Sequence, residues 1–227
     1  MRIFGHILAF AIFAVGLCHA DEAPSAATTD AATEAPAKVD MKEGARLYAL
    51  CVACHGDAGL GNRKVHAPAI AGLPAFYVEA QLVKFRDGIR GAHPDDHTGL
   101  LMRPMARTLR SESAIKSVSA HVAQLTAAKP EASADIEGDA EIGKTTYMTC
   151  MACHGDKGQG NEALKVPSFA HSNDWYLLAQ LKKFKAGIRG ADSRDLAGSQ
   201  MTAIVATLAD EEAMKNVIAY IRTLSSE

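Results

Sequence analysis

Apolar residues recur at helical spacing in four long segments of the chain. Apolar side chains that return every three or four residues form one face of a helix, and glycine commonly follows the last turn. The four segments are residues 74–91, 112–125, 173–190 and 211–224. The first and third end at Gly-Ile-Arg-Gly, and the second and fourth follow Ser111 and Asp210, which we predict to cap them.

Two shorter segments, Met41–Cys51 and Asp139–Cys150, are also predicted to be helices, and no segment shows a convincing alternation of a strand. We therefore predict an all-α fold. Between the helices, stretches such as Gly56–Gly72 contain glycine and proline and are predicted to be loops. Loops of this length in a small domain need something to wrap around.

The whole pattern repeats after 99 residues, so the chain contains two copies of one domain. The Gly-Ile-Arg-Gly-Ala sequence at Gly88, for example, recurs at Gly187 with no gap in the alignment of the two copies. We predict one domain at residues 41–126 and a second at residues 139–227. Residues 127–138, which include a proline, form the predicted linker.

The start of the chain belongs to neither copy. Residues 1–20 have a positive charge, a short apolar run and a small-residue ending, which predicts a secretory signal peptide that is cleaved after Ala20. Residues 21–40 are mainly Ala, Thr, Pro and acidic residues, and we predict a flexible leader there. Removal of the signal peptide leaves four cysteines, and all four lie in a repeated Cys-x-x-Cys-His motif.

Large apolar side chains are scarce, because only 6% of the residues are aromatic. A domain of under about a hundred residues with so little to bury is only marginally stable alone, and a large hydrophobic cofactor would complete its core. Cys-x-x-Cys-His is the attachment signature of c-type haem: the thiols form thioethers, and the histidine binds iron. We predict two covalently bound c-type haems. Their motif residues are Cys51, Cys54 and His55, then Cys150, Cys153 and His154.

The second axial ligand of each iron is predicted to be a methionine. Met102 and Met201 occupy equivalent positions in the two copies, each 47 residues after the motif histidine. Met105 is the alternative in the first copy, but its counterpart is Ile204, and a methionine there could instead pack on the haem edge. The predicted metal ligands are therefore His55 with Met102 and His154 with Met201.

Other uses of these residues remain open at this point. A pair of Cys-x-x-Cys motifs can hold a structural zinc, but that leaves the following histidines and the repeated methionine unexplained. A thioredoxin-like redox pair would lie near a βαβ pattern, and none is evident. His93 or His97 could replace Met102, although neither has a histidine counterpart in the second copy.

The chain resembles the dihaem class I cytochromes c, and most closely the cytochrome c4 group. The resemblance rests on "CVACHGDAGLGN", "CMACHGDKGQGN", a methionine seven residues before a leucine ("MRPMARTL", "MTAIVATL") and the amphipathic final helices. It implies two tandem all-α domains, each wrapped around a covalently attached haem. It also implies that Pro68 and Pro167 accept a hydrogen bond from the motif histidines through their carbonyl oxygens.

The resemblance further implies a periplasmic electron carrier, not an enzyme, that connects a quinol-oxidising cytochrome bc complex with a terminal oxidase or reductase. The alternative is the electron-accepting subunit of an enzyme complex such as a flavocytochrome sulfide dehydrogenase. An enzyme of the dihaem peroxidase or thiosulfate dehydrogenase type would need an open or differently ligated iron, and the two equivalent methionines argue against it. We expect redox proteins as partners, no nucleic acid, and membrane association only through those partners.

The two domains differ in charge. Residues 41–126 contain 11 Lys and Arg against 7 Asp and Glu, a net charge of +4, whereas residues 139–227 contain 10 against 11, a net charge of −1. An acidic partner is therefore expected to prefer the first domain. The equivalent cations Lys84 and Lys183, and Arg90 and Arg189, could bind haem propionates but are expected to be solvated.

Overall fold

The computed structural model describes residues 38–169 and 171–224. The predicted signal peptide and residues 21–37 of the predicted leader lie outside the described residues. In the first copy the helices are α1 (Met41–Tyr48), α2 (Val52–His55), α3 (Ala75–Arg86), α4 (His97–Arg107) and α5 (Glu112–Gln124). In the second copy they are α6 (Ala140–His154), α7 (Asp174–Lys185), α8 (Leu196–Ala206) and α9 (Glu211–Leu224).

The predicted all-α class is confirmed. Within residues 38–169 and 171–224 the β structure is limited to two isolated bridges, Asn62 with Ala67 and Asn161 with Val166. The bridges lie at equivalent positions, so they belong to the design of both copies. The copies differ in one helix: α1 and α2 are separate, whereas α6 continues through the second motif without a break.

Each copy is closed by a crossing of its first and last helices, α1 with α5 and α6 with α9. A glycine at each crossing makes the close approach possible. A side chain on Gly44 would overlap the Ser117 carbonyl, and one on Gly143 would overlap the Asn216 carbonyl. The side chains of Ser117 and Asn216 add a hydrogen bond at each crossing. Ser117 Oγ accepts from Asp40 N at 2.9 Å, and Asn216 Oδ1 accepts from Asp139 N at 2.7 Å.

The apolar core of each copy includes residues of the two crossing helices. In the first copy the main cluster of buried core residues is Tyr48, Leu109, Ile115, Val118 and Val122, and Phe85 is buried as well. In the second copy they are Tyr147, Leu178, Phe184, Val205, Leu208, Met214, Val217, Ile218 and Ile221. The half-buried motif cysteines Cys51 and Cys150 pack against these cores, so the motif is held to the rest of the domain by apolar contact.

The linker segment is anchored rather than loosely tethered. Ser133 donates its backbone N–H and its hydroxyl to the two carboxylate oxygens of Asp174 at 2.8 and 2.6 Å. Arg63 of the first copy forms an exposed ion pair with Asp135 at 2.7 Å. Among the described residues, none of the helices is both long and apolar enough for a membrane span.

The predicted caps Ser111 and Asp210 are confirmed: Ser111 Oγ accepts from Ala114 N at 3.1 Å, and Asp210 Oδ1 accepts from Ala213 N at 2.9 Å. We expect Ser111→Ala to lower the free energy of unfolding by about 1 kcal/mol, because an N-terminal N–H of α5 loses its acceptor. Chemical denaturation of the holoprotein measures this loss. Ser111→Asp keeps an acceptor, so a similar loss in that variant would contradict the capping role.

Candidate cofactor sites

The motif histidines have the same surroundings in both copies. His55 and His154 are buried, and each ends a helix that is followed by a glycine with positive φ. Their Nδ1 atoms lie 2.8 Å from the Pro68 carbonyl oxygen and 3.0 Å from the Pro167 carbonyl oxygen. Because a carbonyl oxygen can only accept, Nδ1 carries the proton, and Nε2 is the nitrogen left to bind a metal.

Burial lowers the pKa of His55 and of His154, and the hydrogen bond to the proline carbonyl opposes this only in part. The imidazoles are therefore held in the neutral form, which is the form that binds iron. Tyr48 and Tyr147 fix the turn behind each motif, because their hydroxyls donate to the carbonyls of Gly56 and Gly155 at 2.8 and 2.7 Å.

The loop that carries each proline is closed by backbone contacts. Gly61 N donates to His55 O at 2.9 Å, and Gly160 N donates to His154 O at 2.8 Å. Both glycines have positive φ, and a side chain on either would run into the backbone next to the proline. Glycine is needed there because it alone combines that conformation with that approach.

The four motif cysteines form no disulfide bond. Cys51 and Cys150 are half-buried, and Cys54 and Cys153, one helical turn later, are exposed. Burial raises the pKa of the unattached Cys51 thiol to about 11. Two cysteines on one turn beside a buried neutral histidine are the donor set that a c-type haem requires.

The predicted methionine ligands lie on α4 and α8. Met102 and Met201 are half-buried, and Met201 packs against the core of the second copy. Met105 lies one turn further along α4 and is 37% exposed. Among the described helices, α4 packs mainly against α3, and α8 packs mainly against α7.

The zinc alternative finds no support. A structural zinc site needs four nitrogen or sulfur ligands. Over residues 38–169 and 171–224, no group of three or more His, Cys, Asp or Glu side chains is arranged to hold a metal ion. The histidine alternatives are peripheral: His97 is exposed at the start of α4, and His93 Nδ1 accepts from Asp95 N at 3.2 Å.

The expectation that the equivalent cations are solvated is wrong. Lys84 of α3 pairs with Asp195 of the second copy at 2.6 Å, and Lys183 of α7 pairs with Asp96 of the first copy at 2.5 Å. Both carboxylates are buried, and each caps a methionine helix by accepting from a backbone N–H, of Gly99 for Asp96 and of Gly198 for Asp195. Each copy therefore holds the start of the other copy's methionine helix.

The arginines complete this surface between the copies. Arg90 donates to Tyr176 Oη at 2.9 Å and to Gln180 Oε1 at 3.0 Å. Arg189 donates to Tyr77 Oη and to Gln81 Oε1 at 3.3 and 3.2 Å. All of these contacts cross between the copies, and they are related by the 99-residue offset. The two domains thus meet through a pseudo-two-fold polar interface.

Sequence reasoning proposed the motif residues, the prolines and the methionines as the cofactor site, and it missed the buried carboxylates Asp96 and Asp195. A signal for them was available, because both copies place an aspartate six residues before the methionine. The reason that a buried aspartate is tolerated there is a lysine on the other domain, and that partner lies 87 positions away for Asp96. Such a pairing is not visible in local sequence.

Comparisons with known proteins agree with this geometry. Residues 41–126 and 140–225 match the cytochrome c family model. A thiosulfate dehydrogenase electron acceptor from Stutzerimonas stutzeri (strain A1501) is 30% identical over 185 residues, which are 77% of this chain and 80% of that protein. Cytochrome c4 from Azotobacter vinelandii is 26% identical over 194 residues, which are 82% of this chain and 89% of that protein.

The fold agrees as well. The crystal structure of reduced recombinant cytochrome c4 from Pseudomonas stutzeri superposes with a TM-score of 0.65 at 23% sequence identity. The match covers 82% of this chain and 98% of that chain, so the similarity extends over both domains.

Proposed function

Because this chain belongs to the cytochrome c family and is a dihaem electron carrier, we propose that it works in the periplasm between a quinol-oxidising cytochrome bc complex and a terminal oxidase or reductase. The observation that carries this proposal is the equivalence of the two sites. Both histidines are buried and bonded to a proline carbonyl, and both have a methionine at the same distance along the chain. Two equivalent sites, each with a methionine available as the second iron ligand, favour electron transfer over catalysis at one of them.

We assign the cofactor contacts residue by residue. Cys51 and Cys54 hold one haem, and Cys150 and Cys153 hold the other. His55 and Met102 would hold one iron and His154 and Met201 the other, with each histidine offering its Nε2 atom. The bound haems supply a one-electron couple between ferrous and ferric iron, whose potential rises with methionine ligation.

The protein's own part is to hold these ligands still in both oxidation states. The Pro68 and Pro167 carbonyls fix the orientation and the tautomer of the histidines and increase their basicity. The interface fixes the domains to each other, because the ion pairs Lys84–Asp195 and Lys183–Asp96 are largely buried. Each domain supplies the lysine of one pair and the aspartate of the other. A fixed pair of domains suits an electron relay, since the distance between the two sites does not change during transfer.

A second candidate function is that of electron acceptor for a thiosulfate dehydrogenase. It is favoured by the name of the relative from Stutzerimonas stutzeri, which shares 30% identity with this chain over most of both lengths. In that role the chain would receive electrons from a periplasmic enzyme instead of the cytochrome bc complex. The sequence also suggested an electron acceptor that works with an enzyme, and this candidate names thiosulfate dehydrogenase as that enzyme instead of flavocytochrome sulfide dehydrogenase.

Stopped-flow spectroscopy separates the two candidates. The oxidised holoprotein is mixed with a cytochrome bc complex and quinol, or with a thiosulfate dehydrogenase and thiosulfate, and haem reduction is followed. Saturable reduction by the bc complex supports the first candidate, and reduction by the dehydrogenase alone supports the second. Failure with both contradicts both. A rate that falls with ionic strength is expected for an acidic partner on the positively charged first domain.

We expect Met102→Leu to remove the near-infrared sulfur-to-iron band of one ferric haem, whereas Met105→Leu keeps the bands of both. The physical reason is that Met102 is half-buried and has an equivalent in Met201, while Met105 points to an exposed surface and has none. Absorption spectra of the purified ferric variants measure the difference. Loss of the band in the Met105 variant alone would reverse the assignment.

A further inference from the structure

Asn173 is placed as a helix cap but does not serve as one. It precedes the first residue of α7, and its side chain makes no capping hydrogen bond there. Instead Asn173 Oδ1 accepts from the backbone N–H of Ala69 in the first domain at 2.7 Å. An asparagine at the start of a helix normally accepts from that helix's own N–H groups, so this side chain is committed to the other domain.

The N–H that Asn173 accepts belongs to the same peptide group as the Pro68 carbonyl. That carbonyl accepts from His55 Nδ1 at 2.8 Å. One planar amide therefore joins Asn173 of the second domain to the motif histidine of the first. Hydrogen bonds at the two ends of an amide polarise each other, so an acceptor at N–H makes the oxygen a stronger acceptor.

The asparagine is specific to the second domain. The residue equivalent to Asn173 in the first domain is Pro74, which has no side-chain oxygen.

The contact is partly buried. Ala69 is buried, and Asn173 is half-buried. A hydrogen-bond chain that is partly removed from water has more influence on its end group than one in water.

We propose that Asn173 is a positioning residue that tunes the haem of the other domain through the Pro68–Ala69 peptide group. A more basic His55 donates more charge to its iron and favours the ferric state. This contact then lowers the reduction potential of the first-domain haem without changing its ligands. The inference rests on the proposed role of His55 as an axial ligand and adds a side chain of the other domain to the surroundings of that ligand.

Asn173→Leu tests this inference because leucine has a similar volume and no acceptor. In the holoprotein at a fixed applied potential, we expect the ferrous-to-ferric ratio of the first-domain haem to rise by roughly two- to tenfold. The second-domain haem should keep its ratio. The two haems are distinguished by their assigned paramagnetic NMR signals during a potentiometric titration. Amide hydrogen exchange at Ala69 should become faster in the same variant.

Asn173→Asp and Ser172→Ala are the matched controls. The aspartate keeps an acceptor and adds negative charge, so the first-domain ratio should fall below that of the wild type. Ser172→Ala changes the neighbouring residue and leaves both haems and Ala69 exchange unaltered. If Asn173→Leu moves both haems equally, or moves neither and leaves Ala69 exchange unaltered, the relay does not exist.

Failure of the relay is distinguishable from failure of the proposed ligand assignment. If His55 does not bind iron, the wild-type first-domain haem lacks the NMR signals of an iron-bound histidine, whatever residue stands at position 173. If only the relay fails, these signals are present and Asn173→Leu leaves the first-domain potential unchanged. Slow exchange at Ala69 in the wild type also tests the contact without reference to the haem.

Discussion

Replacing Cys51 and Cys54 by alanine is expected to give a matured chain with one covalent haem instead of two. The thioethers are the covalent attachment, and no other cysteine lies in the mature first domain as we define it. Intact-mass analysis after expression with the haem-attachment machinery counts the haems. The mirror variant with Cys150 and Cys153 replaced should also retain one haem, and the two variants together should account for both.

The same variant tests whether the haem completes the core of the first domain. The first domain buries few large side chains, and α2, which carries the motif, is not a principal packing partner of α4, which carries Met102. We therefore expect amide protection in α3, α4 and α5 to fall substantially, with α6 to α9 changed less. Hydrogen exchange by mass spectrometry measures both. A variant with one haem and wild-type protection in α3 to α5 would show that the polypeptide core suffices.

The helices α3, α5, α7 and α9 were predictable because their apolar residues recur at helical spacing and a cap or glycine marks an end. The methionine helices were not assigned by that pattern. Pro104 lies inside α4, and a proline inside a helical pattern usually indicates an end or a kink. Both helices instead depend on their first turns, where Asp96 and Asp195 cap them and the other domain supplies a lysine.

The proposed cofactor residues depend on a different signal in the sequence. Covalent attachment and iron ligation fix residue types at short, constant spacings, and the internal repeat showed which downstream methionine has an equivalent. The interface had no such signal. Lys84 and Arg90 look like surface cations in local sequence, because their partners are 111 and 86 or 90 positions away. Only the repeat of these residues in the second copy hinted at a shared role.

The interface also explains why the charge difference between the domains gives an incomplete picture of partner docking. Lys84, Lys183 and the two buried arginines are committed to contacts between the domains. The charge available to a partner therefore comes from other residues, such as the exposed Lys64 and Arg110 of the first domain. Docking variants should be chosen from such residues, because changes at the interface would alter domain packing as well.

Lys183→Met is expected to lower the free energy of unfolding by about 3–5 kcal/mol, because it leaves the Asp96 carboxylate buried without its ammonium partner. Asp96 is 2% exposed at its side chain and Lys183 is 16% exposed, so solvent cannot replace the lost contact. The first turn of α4 should open more often, although Gly99 N still donates to Asp96. Guanidinium unfolding of the holoprotein and hydrogen exchange of α4 measure the two effects.

Lys182→Met is the matched control, one residue away on the same helix. Lys182 pairs with Glu211 of its own domain, and these side chains are 52% and 45% exposed. Exposed pairs contribute about 0–1 kcal/mol, so this variant should unfold close to the wild type. The second lysine of the interface, Lys84, should act on the other domain in the same way. We expect Lys84→Met to increase hydrogen exchange in α8, which lies in the second domain. Loosening only within the mutated residue's own domain would contradict the cross-domain role.

The pH dependence of the free energy of unfolding shows whether the unpaired Asp96 carboxylate causes the loss of stability. Burial is the largest single influence on the Asp96 pKa and would raise it, but the Lys183 ammonium, the Gly99 N–H and Arg90 together lower that pKa below its usual value. The ion pair therefore stabilises the fold at neutral pH, and its contribution is lost as the pH falls through the lowered pKa. Without Lys183, burial raises the Asp96 pKa, and the variant binds a proton at higher pH. The difference in free energy of unfolding between the wild type and Lys183→Met should thus become smaller as the pH falls. At neutral pH, the double variant Lys183→Met with Asp96→Asn should be closer in stability to the wild type than Lys183→Met alone. A gap that is independent of pH would mean that lost side-chain packing, rather than the unpaired carboxylate, destabilises the variant.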